Sequence, residues 1–421
     1  RTVHTGLLEY KNVYRPARVI SYNKESGELV LHNYMDFDDL KDYVKISYEL
    51  TQDGLVISKG ILPEFFVAPH GEGKTNLKIN VPENGKCYLK LIYHLKKELP
   101  LLDEDHILGF DEIEVSKEDT KCKLAEKWIP KTVVDSELQV NENDTQIHIK
   151  GREFAYTIDK RTALFTEMKF AGREYLNHPM ELNIWRAPTD NDMYIKSEWK
   201  KAHYDKAYTR AYTTEVVQGK HGVKITSHAS VVAETVQKIL DVTITWKIEA
   251  AGKIDADIAV TKDDEFPDLP RFGVRMFLDK KLSAVRYFGM GPQESYCDKH
   301  QAASHGLYRA DVGDLHEDYI RPQENGSHYD CEYVELNNSR YGIVASAEKA
   351  FSFNASYYTQ EELEKKTHNY ELIESDSVVF CVDYALNGIG SNSCGPVVLE
   401  QYRFDDVLFR FKFTLIPYVK G

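Results

Sequence analysis

The sequence contains no long apolar run. No stretch approaches the roughly 20 consecutive apolar residues that a helix needs to cross a bilayer, so no membrane partner is expected. The first ten residues, RTVHTGLLEY, lack both an initiator methionine and the apolar core of a secretory signal. A chain opening on Arg1 is expected to be a piece of something longer. Cysteine is sparse: Cys87, Cys122, Cys297, Cys331, Cys381 and Cys394 stand singly, without a C-x-x-C among them. That spacing fits neither a zinc site nor a disulfide scaffold, and free thiols in a reducing compartment are expected. Positive charge is also short. With 53 Lys and Arg against 67 Asp and Glu, the net charge of −14 leaves no basic excess for a phosphate backbone, and no nucleic-acid partner is expected. There is no Walker loop, no G-x-G-x-x-G and no G-x-S-x-G. The 15 histidines include neither H-E-x-x-H nor an i, i+4 pair, so a metal hydrolase is not indicated and no metal ligand is assigned.

What the sequence does have is strand patterning. In DVTITWKIE, Val242, Ile244, Trp246 and Ile248 alternate with polar residues; in KIDADIAV, Ile254, Ala256, Ile258 and Val260 do the same. TQIHIK (145–150), VKITS (223–227) and FRFKFTL (409–415) repeat the pattern. Period-2 alternation buries one face of a strand and wets the other, and 27 tyrosines with 18 phenylalanines favour strands further. Helical patterning is confined to SEWKKAHYDKA (197–207) and TQEELEKKTH (359–368). No segment alternates strand and helix as a parallel barrel requires.

The fold class expected is all-β, with two domains. Residues 1–117 contain seven short candidate strands, ARVISYN, ELVLHN, KISYEL, GLVISK, NLKINV, CYLKLIYHL and HILGFDEIEV, the number of an immunoglobulin-like sandwich. The charged stretch within 118–130 reads as a linker. Residues 131–421 hold too many strands for a second small sandwich and suit one large β-sandwich.

Three loops carry candidate chemistry. NIWRAPTDND (183–192) places Trp185, Arg186, Asp190 and Asp192 around a proline turn. An apolar setting for Arg186 would require carboxylate or carbonyl partners, Asp190 and Asp192 being nearest in sequence. Asp190, Asn191 and Asp192 alternate oxygens as a calcium loop does, without the later Gly and bidentate Glu, so an Asx-rich turn is favoured. GMGPQESY (289–296) and RPQENGSH (321–328) each set a Glu two residues after a Pro, at Glu294 and Glu324. Two carboxylates about 5–5.5 Å apart could cleave a glycoside. The reading preferred from the residues is that each glutamate orders its own turn by accepting backbone N–H groups.

Taken together, these stretches resemble the β-galactosidases of glycoside hydrolase family 2. RTVHTGLLEYKNVY is similar to the family's lead-in from its catalytic barrel to a fourth domain. IWRAPTDND is similar to the signature opening the fifth domain, and YFGMGPQESYCDK, DYIRPQENGSH and NGIGSNSCGP resemble three later blocks in the expected order. The resemblance implies an immunoglobulin-like domain followed by a supersandwich of galactose-mutarotase type. It also implies a protein that hydrolyses terminal β-D-galactosides with retention, and that oligomerises with itself when full length. A bacterial cytoplasm is the expected location, with the periplasm as the alternative.

The family's catalytic glutamates, and its magnesium and sodium ligands, lie on the barrel, so no catalytic residue and no cofactor is assigned to this chain. Its expected role is to complete and cap the active site of a barrel held elsewhere, its partners being the rest of its own chain and the galactoside. Two substrate-facing places are implied. One is a mobile loop at the active-site mouth, Asp192, Met193 and Tyr194, running on to Trp199. The other is an outer-subsite loop, Asn392, Ser393 and Cys394, where Cys394 stands in the position of a stacking tryptophan in well-known members. Either the Cys394 thiol faces the aglycone or it packs beneath its loop. Two alternatives remain: an aldose 1-epimerase using His300, His305 and Glu324 as acid and base, and a carbohydrate-binding module, which would need an exposed aromatic platform.

Overall fold

The computed structural model describes residues 3–117, 122–128, 138–390 and 393–420. It is all-β, with a few short helices, and divides into two compact units. Unit one comprises residues 1–124 together with 300–308, and unit two holds 125–299 and 309–421. The division therefore falls inside the expected linker, and nine residues expected in the second domain belong to the first. The reason is chemical. Glu9 accepts the N–H groups of Gln301 and Ala302 (2.8 and 2.9 Å), and Glu112 accepts the His305 amide at 3.0 Å. The His305 ring stacks on Tyr88 at 4.1 Å.

Unit one is a sandwich of two antiparallel sheets. Ala17–Tyr22, Glu28–Asn33 and Glu72–Asn76 form one; Leu55–Ile61, Val44–Gln52, Cys87–Leu95 and Ile107–Glu114 form the other. Leu29, Leu31, Ile46, Leu50, Leu89 and Leu91 are buried together between them. Six of the seven expected strands occur where the alternation places them. The fifth does not: NLKINV is irregular after Asn76, and the strand is Glu72–Asn76, which pairs with Glu28–His32. Leu77, Ile79 and Val81 still pack on the core, so side-chain burial proceeds without a backbone ladder. The upstream edge strand needs only backbone hydrogen bonds and a close approach: a Cβ on Gly73 would lie 2.4 Å from Val67 Cγ2.

Unit two is the large sandwich. Its main sheet runs in the order Leu176–Asn183, Arg271–Asp279, Ser377–Leu386, Tyr341–Ser356, Leu408–Val419, Ile254–Lys262, Leu240–Glu249, Gly222–Val232, Tyr208–Gly219. A five-stranded sheet contains Leu164–Phe170, Phe154–Asp159 and Gln146–Lys150 at its centre. The expected alternation holds residue by residue: Val242, Ile244, Trp246, Ile248, Ile254, Ala256, Ile258 and Val260 are all buried. Trp246 ties the two sheets, donating to the Ala163 carbonyl at 2.8 Å while Phe165 meets its ring edge-on at 4.9 Å.

Part of the expected linker packs against this sandwich. Trp128, in the turn Glu126–Trp128, stacks on Tyr418 at 3.9 Å. Residues 118–121 and 129–130 of the expected linker, and 131–137 at the start of the expected second domain, lie outside the described residues. All six cysteines are free thiols. Among the described residues, no helix is long and apolar enough to cross a membrane.

Candidate functional site

The four motif blocks of unit two, far apart in sequence, converge on one set of buried polar contacts. Arg186 is fully buried and holds Asp192 through two parallel bonds, Nη2 to Oδ1 at 2.7 Å and Nε to Oδ2 at 3.1 Å. Its remaining N–H groups donate to the carbonyls of Asn387 and of Gly388, the latter at 3.0 Å. Its guanidinium lies over the Trp199 ring at 5.1 Å. Burial disfavours the charge, yet Asp192 more than compensates and raises the arginine pKa. Asp192 Oδ2 also accepts the Thr189 amide at 2.8 Å, closing the turn Asp190–Asp192. Asn191 donates to the Ile389 carbonyl at 2.7 Å. Asp190 does not join Arg186; its amide donates to the Gln323 side chain at 3.0 Å.

Two further carboxylates complete the framework. Asp298, in the block YFGMGPQESYCDK, accepts the amides of Ile389 at 3.0 Å and Gly390 at 2.7 Å. A Cβ on Gly388 would sit 2.7 Å from Asp298 Oδ2, so glycine is required for that approach. Glu294 accepts from Lys299 Nζ at 2.5 Å, from the Tyr319 hydroxyl and from the Gly326 amide at 2.8 Å. Burial opposes its ionisation, but Lys299 and these donors hold its carboxyl below the usual range. Glu324 faces Arg271 at 3.3–3.4 Å, while Arg271 bonds more tightly to Asp383. Burial pushes the Glu324 carboxyl above the usual carboxylate range despite Arg271, and raises that of Asp383 likewise. Its amide donates to the Ala187 carbonyl at 3.0 Å, joining the RPQENG turn to the RAPTDND turn.

This framework leaves Glu294 and Glu324 only 4% and 3% exposed, with their oxygens engaged by the protein. Both side chains are almost closed to solvent. The amide that Glu294 accepts, that of Gly326, belongs to the other block and not to its own turn, and Glu324 acts chiefly as a counter-ion. In unit one, His305 is committed to Glu112 through Nδ1 at 2.7 Å. An epimerase pairing of His300 or His305 with Glu324 gains no support from these surroundings.

The implied substrate-facing residues divide. Asp192 is 3% exposed with both oxygens taken by Arg186 and the Thr189 amide, so it shapes the loop at Met193 and Tyr194 from beneath. Met193 and Tyr194 are exposed, at 44% and 59%. The segment after them is not a loop. Ile195–Lys201 is helical because Trp199 docks in the core, donating Nε1 to the Asp268 carbonyl at 2.8 Å. Ser393 is half-buried and Cys394 exposed, so the thiol does not pack beneath its loop; Asn392 lies outside the described residues. The roots of the two segments are joined by the Asn191–Ile389 bond. Beside the first, a cavity of about 610 Å³ is lined by Asp190, Lys196, Lys200, Arg321, Gln323 and Glu364 among others. Asp298 was the organising residue that pattern reading passed over; it sits inside a quoted block, but nothing local tells an Asp that caps a distant glycine loop from a solvated one. No three His, Cys, Asp or Glu side chains among the described residues are grouped to hold a metal ion.

A family model described as "Beta galactosidase small chain" matches residues 150–415, and one described as "Beta-galactosidase, domain 4" matches residues 29–116. A β-galactosidase of Actinobacillus pleuropneumoniae is 42% identical over 419 residues, covering 99% of this chain and 40% of that protein. One of Staphylococcus xylosus is 31% identical over 420 residues, covering 99% of this chain and 41% of that protein. The chain thus spans about 40% of the length of the curated relatives it matches. Among solved structures, galactose 1-epimerase from Lactobacillus acidophilus NCFM is similar with a TM-score of 0.38 and 8% identity, covering 68% of this chain and 99% of that one. By sequence and by the two family models, the chain belongs to the β-galactosidase family, as domain 4 followed by the small-chain region at the C-terminal end.

Proposed function

We propose that the chain completes and caps the galactoside site of a retaining β-galactosidase whose catalytic carboxylates lie on residues outside it. The carrying observation is the split between buried and exposed groups in unit two. The motif glutamates and Asp192 are consumed in holding the framework, whereas Met193, Tyr194 and Cys394 stand exposed on segments it braces. Such a surface can contact a sugar by apolar area and hydrogen bonds, but it offers no free acid and nucleophile pair. Magnesium and sodium would be held by the same outside region, and the full-length protein would self-associate.

The purified chain should therefore fold and leave a chromogenic β-galactoside intact. Glu294→Gln and Glu324→Gln should lower its stability. In the full-length protein, Tyr194→Ala should alter KM for lactose several-fold more than kcat, since a contact kept from ground state to transition state changes binding most. Hydrolysis by the homogeneous chain that disappears in either glutamine variant would overturn the proposal.

A further inference from the structure

Unit two contains a second cavity, a cleft of about 570 Å³, within the roughly 300–1,000 Å³ typical of small-molecule sites. None of Met193, Tyr194, Ser393 and Cys394 lines it. Three adjacent strands of the main sheet, Ser377–Leu386, Tyr341–Ser356 and Leu408–Val419, contribute to its lining, and the segment 401–406 supplies much of the rest. That segment is fixed in place. The Gly388 amide donates to the Tyr402 carbonyl at 2.8 Å, and the Phe404 amide donates to buried Asn387 Oδ1 at 2.9 Å. The Cys297 thiol reaches the carbonyls of Leu386 and Tyr402 at 3.7 and 3.8 Å. The cleft is therefore built before any ligand arrives.

Its lining combines aromatic rings with balanced charge. Tyr329, Tyr384 and Tyr402 line it and are each only partly buried. Tyr384 is braced by a near-parallel stack on Phe409, 4.9 Å apart at 16°. Burial pushes the Tyr329 hydroxyl up to about 12, so it stays protonated as a donor. Four lining cations, Lys349, Arg403, Arg410 and Lys412, accompany three lining carboxylates, Asp330, Glu348 and Asp406. Asp257 supplies a fourth negative charge, pairing with Arg410 at 2.5 Å and lying 3.8 Å from Lys412. An ionic ligand gains no net attraction from such a set, and a purely apolar one would strip water from charged groups without replacing it. A pyranose meets both conditions: its C–H face covers an aromatic ring while its hydroxyls donate to carboxylates and accept from cations.

We infer that this cleft, with its partly exposed tyrosines and compensated charges, is a binding site for a neutral saccharide of one or two pyranose rings. It supplies the aromatic platform that the loop at Cys394 lacks.

Lactose titrated into the chain, followed by saturation-transfer NMR and calorimetry, should bind saturably. Tyr402→Ala should weaken binding about five- to tenfold, the loss of one stacking face. Ala350→Trp, at an exposed position of the lining, should block it without lowering the melting temperature. No hydrolysis is read, so this outcome is separate from that of the capping role. Absence of saturable lactose binding, affinity unchanged by Ala350→Trp, or tighter binding of glucose 6-phosphate than of lactose would overturn the inference.

Discussion

Arg186 and Asp192 form a bidentate ion pair inside unit two, with side chains 0% and 5% exposed. Because the same guanidinium also satisfies the carbonyls of Asn387 and Gly388, it couples two loops that lie some two hundred residues apart in sequence. Removing it strands a buried carboxylate and two carbonyls. Arg186→Ala should therefore destabilise unit two by about 3–5 kcal/mol, measured by urea unfolding. The double variant Arg186→Met, Asp192→Leu should recover only part of this, since both carbonyls stay unpaired. An unchanged unfolding midpoint in Arg186→Ala would refute the assignment.

Asp298→Ala removes the acceptor of two loop amides. The expected cost is modest, about 1–3 kcal/mol, but it should be local. Hydrogen exchange at Ile389 and Gly390 should accelerate well beyond that of the Ile254–Lys262 strand. Uniform acceleration across both would show that Asp298 supports the whole sandwich and not that loop.

His328 is buried between Tyr287 and Phe353, with ring centroids 4.5 and 5.0 Å away. Its Nδ1 contacts the Met290 carbonyl at 3.3 Å, and its Nε2 is buried without a partner. Burial lowers its pKa from 6.5 to about 4. The folded state thus favours the neutral ring, and between those values the unfolded chain binds the extra proton. The contribution is fully present above pH 6.5 and is lost as pH falls toward 4, by about 3 kcal/mol in all. His328→Phe should flatten the stability profile over that window relative to the parent. Parallel profiles would place the acid sensitivity in other groups.

Cys394 is exposed, so a larger side chain there overfills nothing. In the full-length protein, Cys394→Trp should leave the melting temperature unchanged and lower KM for lactose several-fold, a stacked ring adding on the order of 1 kcal/mol. An unchanged KM would remove the loop from the aglycone side.

The strands of unit two were legible because each buries one face. Val242 to Val260 alternate in the sequence as they do in burial, and period 2 is a local property. The order of the strands was not legible. Ile254–Lys262 pairs with Leu408–Val419 across some 150 residues, and nothing in either stretch names the other. The helix Ile195–Lys201 was partly legible through its own pattern, while the pull of Trp199 into the core was not.

The sequence alone determined the all-β class, the two-part organisation and the family, because alternation and ordered motif blocks are written along the chain. Only the tertiary structure decided which motif residues face solvent. Asp192, Glu294 and Glu324 are all buried: the cations facing the first two, Arg186 and Lys299, lie six and five residues away, whereas Arg271, facing Glu324, comes from a distant strand. A charge can be buried only where a partner offsets its lost hydration, and that partner is supplied by the fold.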